Sequence, residues 1–191
     1  LQNSERPESH MNLGNLYTQS GNIIEAERAY RLATRLDNQF VPAYANLADL
    51  YRIQGMDQAA EKVLLEGIDA SPQDAMLYHA LGLLQVRSQR MDAALLSLKK
   101  AVEIEPETAR YSYVYGVALN STGKSGEALQ VLEQSVKAHP RDQESIFMIA
   151  SIYRDKGNAG QALMWAQKLL DINPADQNAT RFIEALDARE Q

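Results

Sequence analysis

The first residues that could do chemistry are Gly123, Lys124 and Ser125, which form a Gly-Lys-Ser triplet. Such a triplet ends the phosphate-binding loop G-x-x-x-x-G-K-[ST], in which backbone N–H groups surround phosphate oxygens between a buried strand and a helix. The loop requires its first glycine at position 118, and the residue there is Ala118. Whether the triplet binds a nucleotide or only turns the chain therefore depends on the element that precedes it.

The other candidates for chemistry are three histidines. His10, His79 and His139 lie far apart in the sequence, and no H-x-x-E-H, E-x-x-H or triad-like grouping accompanies them. Because the sequence has no cysteine, it contains no disulfide, thiolate zinc site, cysteine nucleophile or C-x-x-C-H haem attachment. We therefore predict a protein that is not an enzyme and that holds no cofactor and no metal.

Composition and charge narrow the choice of partners. The 191 residues are 45% hydrophobic, which is enough to bury a substantial core. A net charge of -6, with no run rich in lysine and arginine, gives no attraction to nucleic acid or to anionic lipid. No apolar run approaches the roughly 20 residues needed to cross a bilayer. The expected partner is a protein or peptide, without nucleic acid or membrane insertion.

The strongest pattern is a period of 34 residues, at which alanine, small residues, glycine and proline each recur. The alanines are Ala26, Ala60, Ala94, Ala128 and Ala162; the small residues are Gly14, Ala48, Gly82, Gly116 and Ala150; the glycines are Gly21, Gly55, Gly123 and Gly157, with Gln89 as the exception; the prolines are Pro72, Pro106, Pro140 and Pro174. Four series that stay in step indicate an internal repeat.

Each unit of the repeat reads as two helices. Apolar residues recur at helical spacing on both sides of the glycine, which ends the first helix because it reaches positive φ without steric cost. Gly123 belongs to this series and follows a predicted first helix and not a strand. The Gly-Lys-Ser triplet is therefore predicted to be a turn, with Ser125 beginning the next helix.

The same period predicts the core and the helix caps. Two rows of larger residues are expected to fill the core: Leu13, Leu47, Leu81, Tyr115 and Ile149 in the first helices, and Tyr30, Leu64, Leu98, Leu132 and Ala166 in the second. Four residues stand where an N-cap is needed: Asp74, Thr108, Asp142 and Asp176. Asn22 and Glu25 are expected to form a capping box.

This pattern resembles the tetratricopeptide repeat family, whose unit is a helix-turn-helix of the same length. The resemblance implies an all-α, right-handed superhelical α-solenoid of five repeats with a C-terminal capping helix. Residues 1–6 are expected to form an N-terminal tail, the repeats to occupy 7–174 with starts at 7, 41, 75, 109 and 143, and the capping helix to occupy 175–191. The apolar face of the cap is expected to consist of Ala179, Phe182, Ile183 and Leu186. Because the tail is too short to cover the first helix pair, we expect a preceding segment of a longer parent protein to shield that end.

In the family, the first helices line a concave groove that binds an extended peptide or a partner helix, and the resemblance implies the same surface here. The side chains assigned to it are Asn12, Asn15, Asn46, Asp49, Arg52, Met76, His79, Leu83, Arg87, Arg110, Tyr113, Val117, Asn120, Phe147 and Arg154. Its middle is apolar and aromatic, as in protein recognition sites. The alternative is that tight curvature buries these apolar side chains against adjoining repeats.

Polar residues of this surface predict its selectivity. Arginines 52, 87, 110 and 154 are expected to select acidic partners, with Asp49 and Asp155 setting the register. Asn12 and Asn46 occupy a position at which related proteins bind a peptide backbone. Some relatives grip the C-terminal carboxylate of chaperones with two asparagines and three cations. Asn15 and Asn46 match those asparagines, but the cation positions hold Met11, Met76 and Ala80, so that activity is not expected.

The leading interpretation is a noncatalytic protein–protein interaction scaffold, and two alternatives stay open. The segments LYHALGLLQVR (77–87) and ARYSYVYGVAL (109–119) resemble repeats appended to bacterial multihaem c-type cytochromes. That resemblance implies an extracytoplasmic module that docks a haem-bearing domain of the same parent chain or a redox partner. The second alternative is a structural adaptor that forms homo-oligomers through open ends and grooves. The residues alone do not identify the compartment.

Overall fold

The computed structural model describes residues 6–188, which form eleven helices and contain no strand. The helices are α1 (Pro7–Gln19), α2 (Ile23–Leu36), α3 (Val41–Ile53), α4 (Asp57–Ala70), α5 (Ala75–Arg87), α6 (Met91–Ile104), α7 (Ala109–Ser121), α8 (Ser125–Ala138), α9 (Gln143–Asp155), α10 (Ala159–Ile172) and α11 (Gln177–Asp187). The predicted all-α class is confirmed. Residues 1–5 of the predicted tail and 189–191 of the predicted cap lie outside the described residues.

The chain forms two compact units, of which the first ends at Ile104 and the second begins at Glu105. In the first unit α1 pairs with α2, α3 with α4 and α5 with α6, and each pair packs on the next. In the second unit α7 pairs with α8 and α9 with α10, and α11 packs on α10. The finer division into a tail, five repeats and a cap stays a prediction.

The short turns within each helix pair follow the glycine series. Gly55 has a φ of 73° and Gly123 a φ of 80°, which is the left-handed conformation that glycine adopts without a Cβ clash. Gln89 adopts the same conformation with a φ of 58°, although it carries a side chain. The Gly-Lys-Ser triplet lies between α7 and α8, and Ser125 is the first residue of α8, so the prediction of a turn is confirmed.

The small residues lie where paired helices approach most closely. A Cβ atom added to Gly82 of α5 would lie 2.6 Å from Cγ of Leu98 on α6. A Cβ atom added to Gly116 of α7 would lie 2.7 Å from Cγ of Leu132 on α8. Such distances are far inside van der Waals contact, so the pairing of these helices depends on the missing side chain.

The core row of the second helices is confirmed, since all five of its residues are buried: Tyr30, Leu64, Leu98, Leu132 and Ala166. In the row of the first helices, Leu47, Leu81 and Ile149 are buried, whereas Tyr115 is half-buried. The prediction for Leu13 is wrong, because this side chain is 39% exposed. Helices α1 and α2 pack beside α3 and enclose Leu47, but within residues 6–188 no helix takes the equivalent place beside α1.

The predicted N-caps are confirmed at three of four positions. Asp74, Asp142 and Asp176 each accept a backbone N–H of the following helix. Thr108 does not, because its hydroxyl donates to Glu105 instead.

The predicted capping box at α2 is also wrong. Asn22 donates its amide to the hydroxyl of Ser20 and makes no side-chain cap bond. Oε1 of Glu25 accepts a hydrogen bond from Nη1 of Arg28 at 2.7 Å, so the Glu25 carboxylate pairs with an arginine of the same helix.

Candidate functional site

A cleft of about 350 Å³ lies between α3 and α5 in the first unit, and we call it the α3–α5 cleft. Its lining residues are Ala45, Ala48, Asp49, Arg52, Ala60, Leu64, Ala80, Leu83, Leu84 and Arg87. On α3 and on α5 these residues recur three, four and seven positions apart, so each helix turns a single face to the cleft. Alanine at 45, 48 and 80 leaves the space that larger side chains would fill.

The floor of the cleft is apolar and its rim is charged. Leu64 and Leu84 are buried at the floor, whereas Leu83 is 42% exposed at the wall. On the rim, Arg52 donates to Asp49 with 2.7 Å between Nε and Oδ1. Arg87 donates from Nε to Oδ1 of Asp57, on α4, at 3.2 Å. Both arginines lie in the last turns of their helices, where a cation complements the helix dipole.

The ion pairs of the rim alter what these arginines offer a ligand. Each guanidinium has five N–H donors in a planar fork, and the intramolecular carboxylate occupies only part of that set. The two arginines are balanced by two aspartates, so the rim is nearly neutral. The rim therefore presents hydrogen-bond donors and acceptors with little net charge.

Two of the predicted asparagines meet each other beside the cleft. Nδ2 of Asn46 donates to Oδ1 of Asn15 at 3.1 Å, and the hydroxyl of Tyr30 donates to the same oxygen at 2.7 Å. Both lone pairs of that oxygen are therefore engaged, and Asn15 offers an incoming backbone only its N–H donors. The structure places both residues in a shallow polar recess of about 220 Å³, together with Thr18, Gln19, Tyr30, Asp49 and Leu50. Asn12 is exposed on α1 and does not line the recess.

Two predicted residues of α5 lie outside the cleft lining. Met76 is 44% exposed and His79 is half-buried, and both precede the cleft-lining part of the helix. The structure thus brings together Asp49, Arg52, Leu83 and Arg87 of the predicted surface and leaves Met76 and His79 apart from them. Pattern reasoning missed Ala60 and Leu64 as lining residues, since it considered one face of the first helices and left out the second helix α4 that forms the floor.

In the second unit, predicted surface residues contact the C-terminal helix. The rings of Phe147 on α9 and Phe182 on α11 meet edge to face with centroids 5.4 Å apart. The guanidinium carbon of Arg154 lies 5.1 Å from the centroid of Phe182. Phe147 is 39% exposed, so α11 covers only part of it. The apolar face of the predicted cap is confirmed, since Ala179, Phe182 and Leu186 are buried and Ile183 is half-buried.

A wide, open recess of about 530 Å³ adjoins this contact. It is lined by Tyr113, Glu144, Phe147, Leu169, Asp176, Asn178, Arg181 and Phe182. Sequence reasoning missed the contribution of α11, although its apolar residue Phe182 was recognised. The four-residue spacing of Phe182 and Leu186 indicates that α11 has an apolar face, but it does not show which helices that face meets.

Two of the other three predicted residues of the second unit, Arg110 and Asn120, bond side chains of the same unit. Arg110 donates to Glu144 at 3.4 Å, and its guanidinium carbon lies 5.6 Å from the ring centroid of Tyr113. Oδ1 of Asn120 accepts from the hydroxyl of Ser125 at 2.7 Å, which ties the end of α7 to the start of α8. Val117 is half-buried on α7. None of these three aliphatic or polar side chains lines the recess described above.

All four arginines of the predicted surface are already paired with carboxylates. Arg52 pairs with Asp49, Arg87 with Asp57, Arg110 with Glu144 and Arg154 with Asp155. Because the pairs are largely exposed, they are worth little to stability and can exchange partners readily. Selection of acidic partners by these arginines therefore stays a prediction.

Among residues 6–188 no group of three or more His, Asp or Glu side chains is arranged to hold a metal ion. Within the same range, no helix combines the length and apolarity that crossing a membrane requires.

Helix pairs recur every 34 residues, and each pair is joined by a short turn that contains one residue with a positive φ. These features define an all-α repeat protein. Family models described as "Tetratricopeptide repeat" match residues 7–40 and 41–74, and residues 79–142 and 121–177. These matches cover most of the sequence, and the chain belongs to the tetratricopeptide repeat family.

Solved structures share this fold at low sequence identity. MamA is 22% identical, with a TM-score of 0.72, over 84% of this chain and 94% of that one. YrrB, described as "a TPR protein with an unusual peptide-binding site", is 24% identical, with a TM-score of 0.70, over 100% of this chain and 95% of that one. Yeast Tom70 is 18% identical, with a TM-score of 0.81, over 98% of this chain and 41% of that one. No curated protein sequence matches the chain significantly.

Proposed function

We propose that the protein is a noncatalytic interaction module whose α3–α5 cleft binds an extended segment of a partner polypeptide. The observation that carries this proposal is the apolar floor beside Leu83, bounded by the Arg52–Asp49 and Arg87–Asp57 pairs. An apolar centre with a polar rim is the usual anatomy of a protein recognition site. Membership of the repeat family favours the same class of function.

The size and lining of the cleft favour an extended peptide with one large apolar side chain. A volume of about 350 Å³ lies at the lower end of the range for ligand pockets, roughly 300 Å³ and above. The alanines at 45 and 80 leave room for such a side chain above Leu64 and Leu84. The rim arginines and aspartates then bond the backbone on either side of it. The description of YrrB as having a peptide-binding site is consistent with this function.

The test is selection of binding peptides from a display library of short random peptides, followed by affinity measurement on two variants. Leu83→Glu places a charge at the cleft wall, whereas Leu96→Glu makes the same change on α6, where the side chain is 72% exposed and lies outside the cleft. We expect the selected peptides to lose at least about tenfold in affinity for Leu83→Glu and to bind Leu96→Glu as they bind the unaltered chain. Equal binding to both variants would refute the role of this cleft.

The predicted homo-oligomer and the predicted docking of a haem-bearing domain stay predictions. Sedimentation of the chain tests the first. The second is tested by reading the upstream coding sequence for C-x-x-C-H motifs. No contact described above favours either over binding of a separate peptide.

A further inference from the structure

Three buried serines of the second unit come one each from α7, α8 and α9, and we call them the serine junction: Ser112, Ser135 and Ser145. They are 3%, 4% and 0% exposed. Oγ of Ser135 and Oγ of Ser145 are fully buried, and neither has a hydrogen-bond partner among residues 6–188. A buried hydroxyl without a partner is costly, because it has lost its bonds to water and gained none in return.

The first unit shows that these three positions contact one another. The residues 68 positions earlier, which is two repeat periods, are Tyr44 on α3, Gly67 on α4 and Leu77 on α5. A Cβ atom added to Gly67 would lie 3.0 Å from Cγ of Tyr44 and 3.1 Å from Cδ1 of Leu77. Helices α7, α8 and α9 pack on one another pairwise as α3, α4 and α5 do. The three serines therefore converge on one point of the core.

The serine junction fills this point less completely than its counterpart in the first unit. Three serine side chains have half as many heavy atoms as the tyrosine, glycine and leucine of that counterpart. The paired helices have not moved together to compensate. A Cβ atom added to Gly116 of α7 would lie 2.7 Å from Cγ of Leu132, against 2.6 Å for the same contact between Gly82 and Leu98. The crossing of α7 and α8 is thus no closer than that of α5 and α6.

The next set of equivalent positions in the second unit is apolar. It consists of Ile146 on α9, Leu169 on α10 and Ala179 on α11, which are 1%, 1% and 0% exposed. These side chains have only carbon atoms and need no hydrogen-bond partner. The small polar filling is therefore particular to the serine junction and is not a general property of the second unit.

We propose that the serine junction binds ordered water that bridges Oγ of Ser135 to Oγ of Ser145. The two hydroxyls do not bond each other, so a bridging molecule must supply their partners. Buried water makes about three hydrogen bonds, and the hydroxyl of Ser112 offers the third. An apolar occupant would leave the hydroxyls unpaired. The site lies within the second unit and does not depend on the α3–α5 cleft.

The first test counts the bound water by oxygen-17 relaxation dispersion of the solvent, which detects water molecules that tumble with the protein. The triple variant Ser112→Tyr, Ser135→Gly and Ser145→Leu installs the residues of the first unit at this point. Ser97→Ala is the matched control, because it removes a buried hydroxyl that already donates to Oε1 of Gln85 at 2.8 Å. We expect the dispersion amplitude to fall by at least one water molecule in the triple variant and not to fall in the control. Circular dichroism verifies that both variants fold.

The second test is a double-mutant cycle of Ser135→Ala and Ser145→Ala, measured by urea unfolding of the full chain. Alanine is smaller than serine, so these variants carry no risk of overpacking. We expect each single change to lower the unfolding midpoint, and the double variant to shift it by less than the sum of the single shifts, because the first change already removes the bridge. The change in helix propensity cancels in this comparison, since each substitution contributes it independently.

Three results would overturn the proposal. The first is a folded triple variant with the full dispersion amplitude of the unaltered chain. The second is a cycle in which both single changes raise the midpoint and their effects add, as two unpaired hydroxyls without water would give. The third is a crystal structure in which each hydroxyl bonds the carbonyl four residues earlier in its own helix, with no water between them.

Discussion

The close crossing of α5 and α6 predicts that the smallest enlargement of Gly82 is harmful. In Gly82→Ala the new methyl group would lie 2.6 Å from Cγ and 2.7 Å from Cδ2 of Leu98, and 3.3 Å from its backbone nitrogen. Leu98 is 0% exposed, so its side chain cannot move out into solvent to make room. Overpacking of this kind costs about 1–3 kcal/mol, whereas replacing glycine by alanine within a helix returns about 1 kcal/mol. We expect a net loss of up to about 2 kcal/mol in the free energy of unfolding.

In a Leu98→Ala background, Gly82→Ala should have the opposite effect on the free energy of unfolding. Leu98→Ala alone should cost about 2–5 kcal/mol, because it leaves a cavity in the core. In that background the methyl group of Gly82→Ala no longer meets Cγ or Cδ2 of residue 98. Its closest contact is then the backbone nitrogen at 3.3 Å, which the new cavity allows to relax, and the helix-propensity gain of up to about 1 kcal/mol outweighs it. Gly82→Ala should therefore destabilise the unaltered chain and stabilise the Leu98→Ala variant.

The assay is urea unfolding followed by far-UV circular dichroism on the four chains of this double-mutant cycle. Gly126→Ala is the matched control, because a Cβ atom there meets no atom within 4 Å and the change should not destabilise. If Gly82→Ala destabilised both backgrounds equally, the loss would come from the backbone and not from contact with Leu98. That result would refute the close-crossing argument.

Two further predictions concern a turn and an ion pair. Gln89→Gly should raise the free energy of unfolding by about 1 kcal/mol, because a non-glycine residue at a φ of 58° is strained. Gly55→Ala should lower the free energy of unfolding for the same reason. Thermal unfolding of both variants measures these changes, and a loss of stability in Gln89→Gly would contradict the prediction. The hydrogen bonds from Tyr51 and, to a smaller extent, from Arg31 lower the pKa of the Glu27 carboxyl from its ordinary 4.5. The stabilisation from these hydrogen bonds is therefore present above pH 4.5 and is lost as the pH falls through the lowered pKa. Glu27→Gln should therefore destabilise the protein at neutral pH by less than about 1 kcal/mol, since the Glu27–Arg31 pair is partly exposed. The difference in stability between the variant and the unaltered chain should shrink in unfolding curves measured in acid. A difference that grew below pH 4.5 would contradict this prediction.

The candidate site could be predicted only in part, because binding surfaces depend on which helices meet. Spacing placed Asp49, Arg52, Leu83 and Arg87 on one surface, and the structure brings them to one cleft. Spacing did not show that Ala60 and Leu64, from the second helix α4, form its floor. It also did not show that Asn46 bonds Asn15, since that bond depends on the distance between α1 and α3.

The sequence by itself determined the period, the turns and the helix starts capped by aspartate, because these depend on local chemistry. Glycine permits a positive φ, aspartate caps a helix, and apolar residues at helical spacing define a helix face. None of these properties depends on which other helices lie nearby. Tertiary structure decided what each face meets. Leu13 and Leu16 on α1 match Leu47 and Leu50 on α3 in type and spacing. The first two are exposed and the second two are buried, because burial depends on the neighbouring helix and not on the residues themselves.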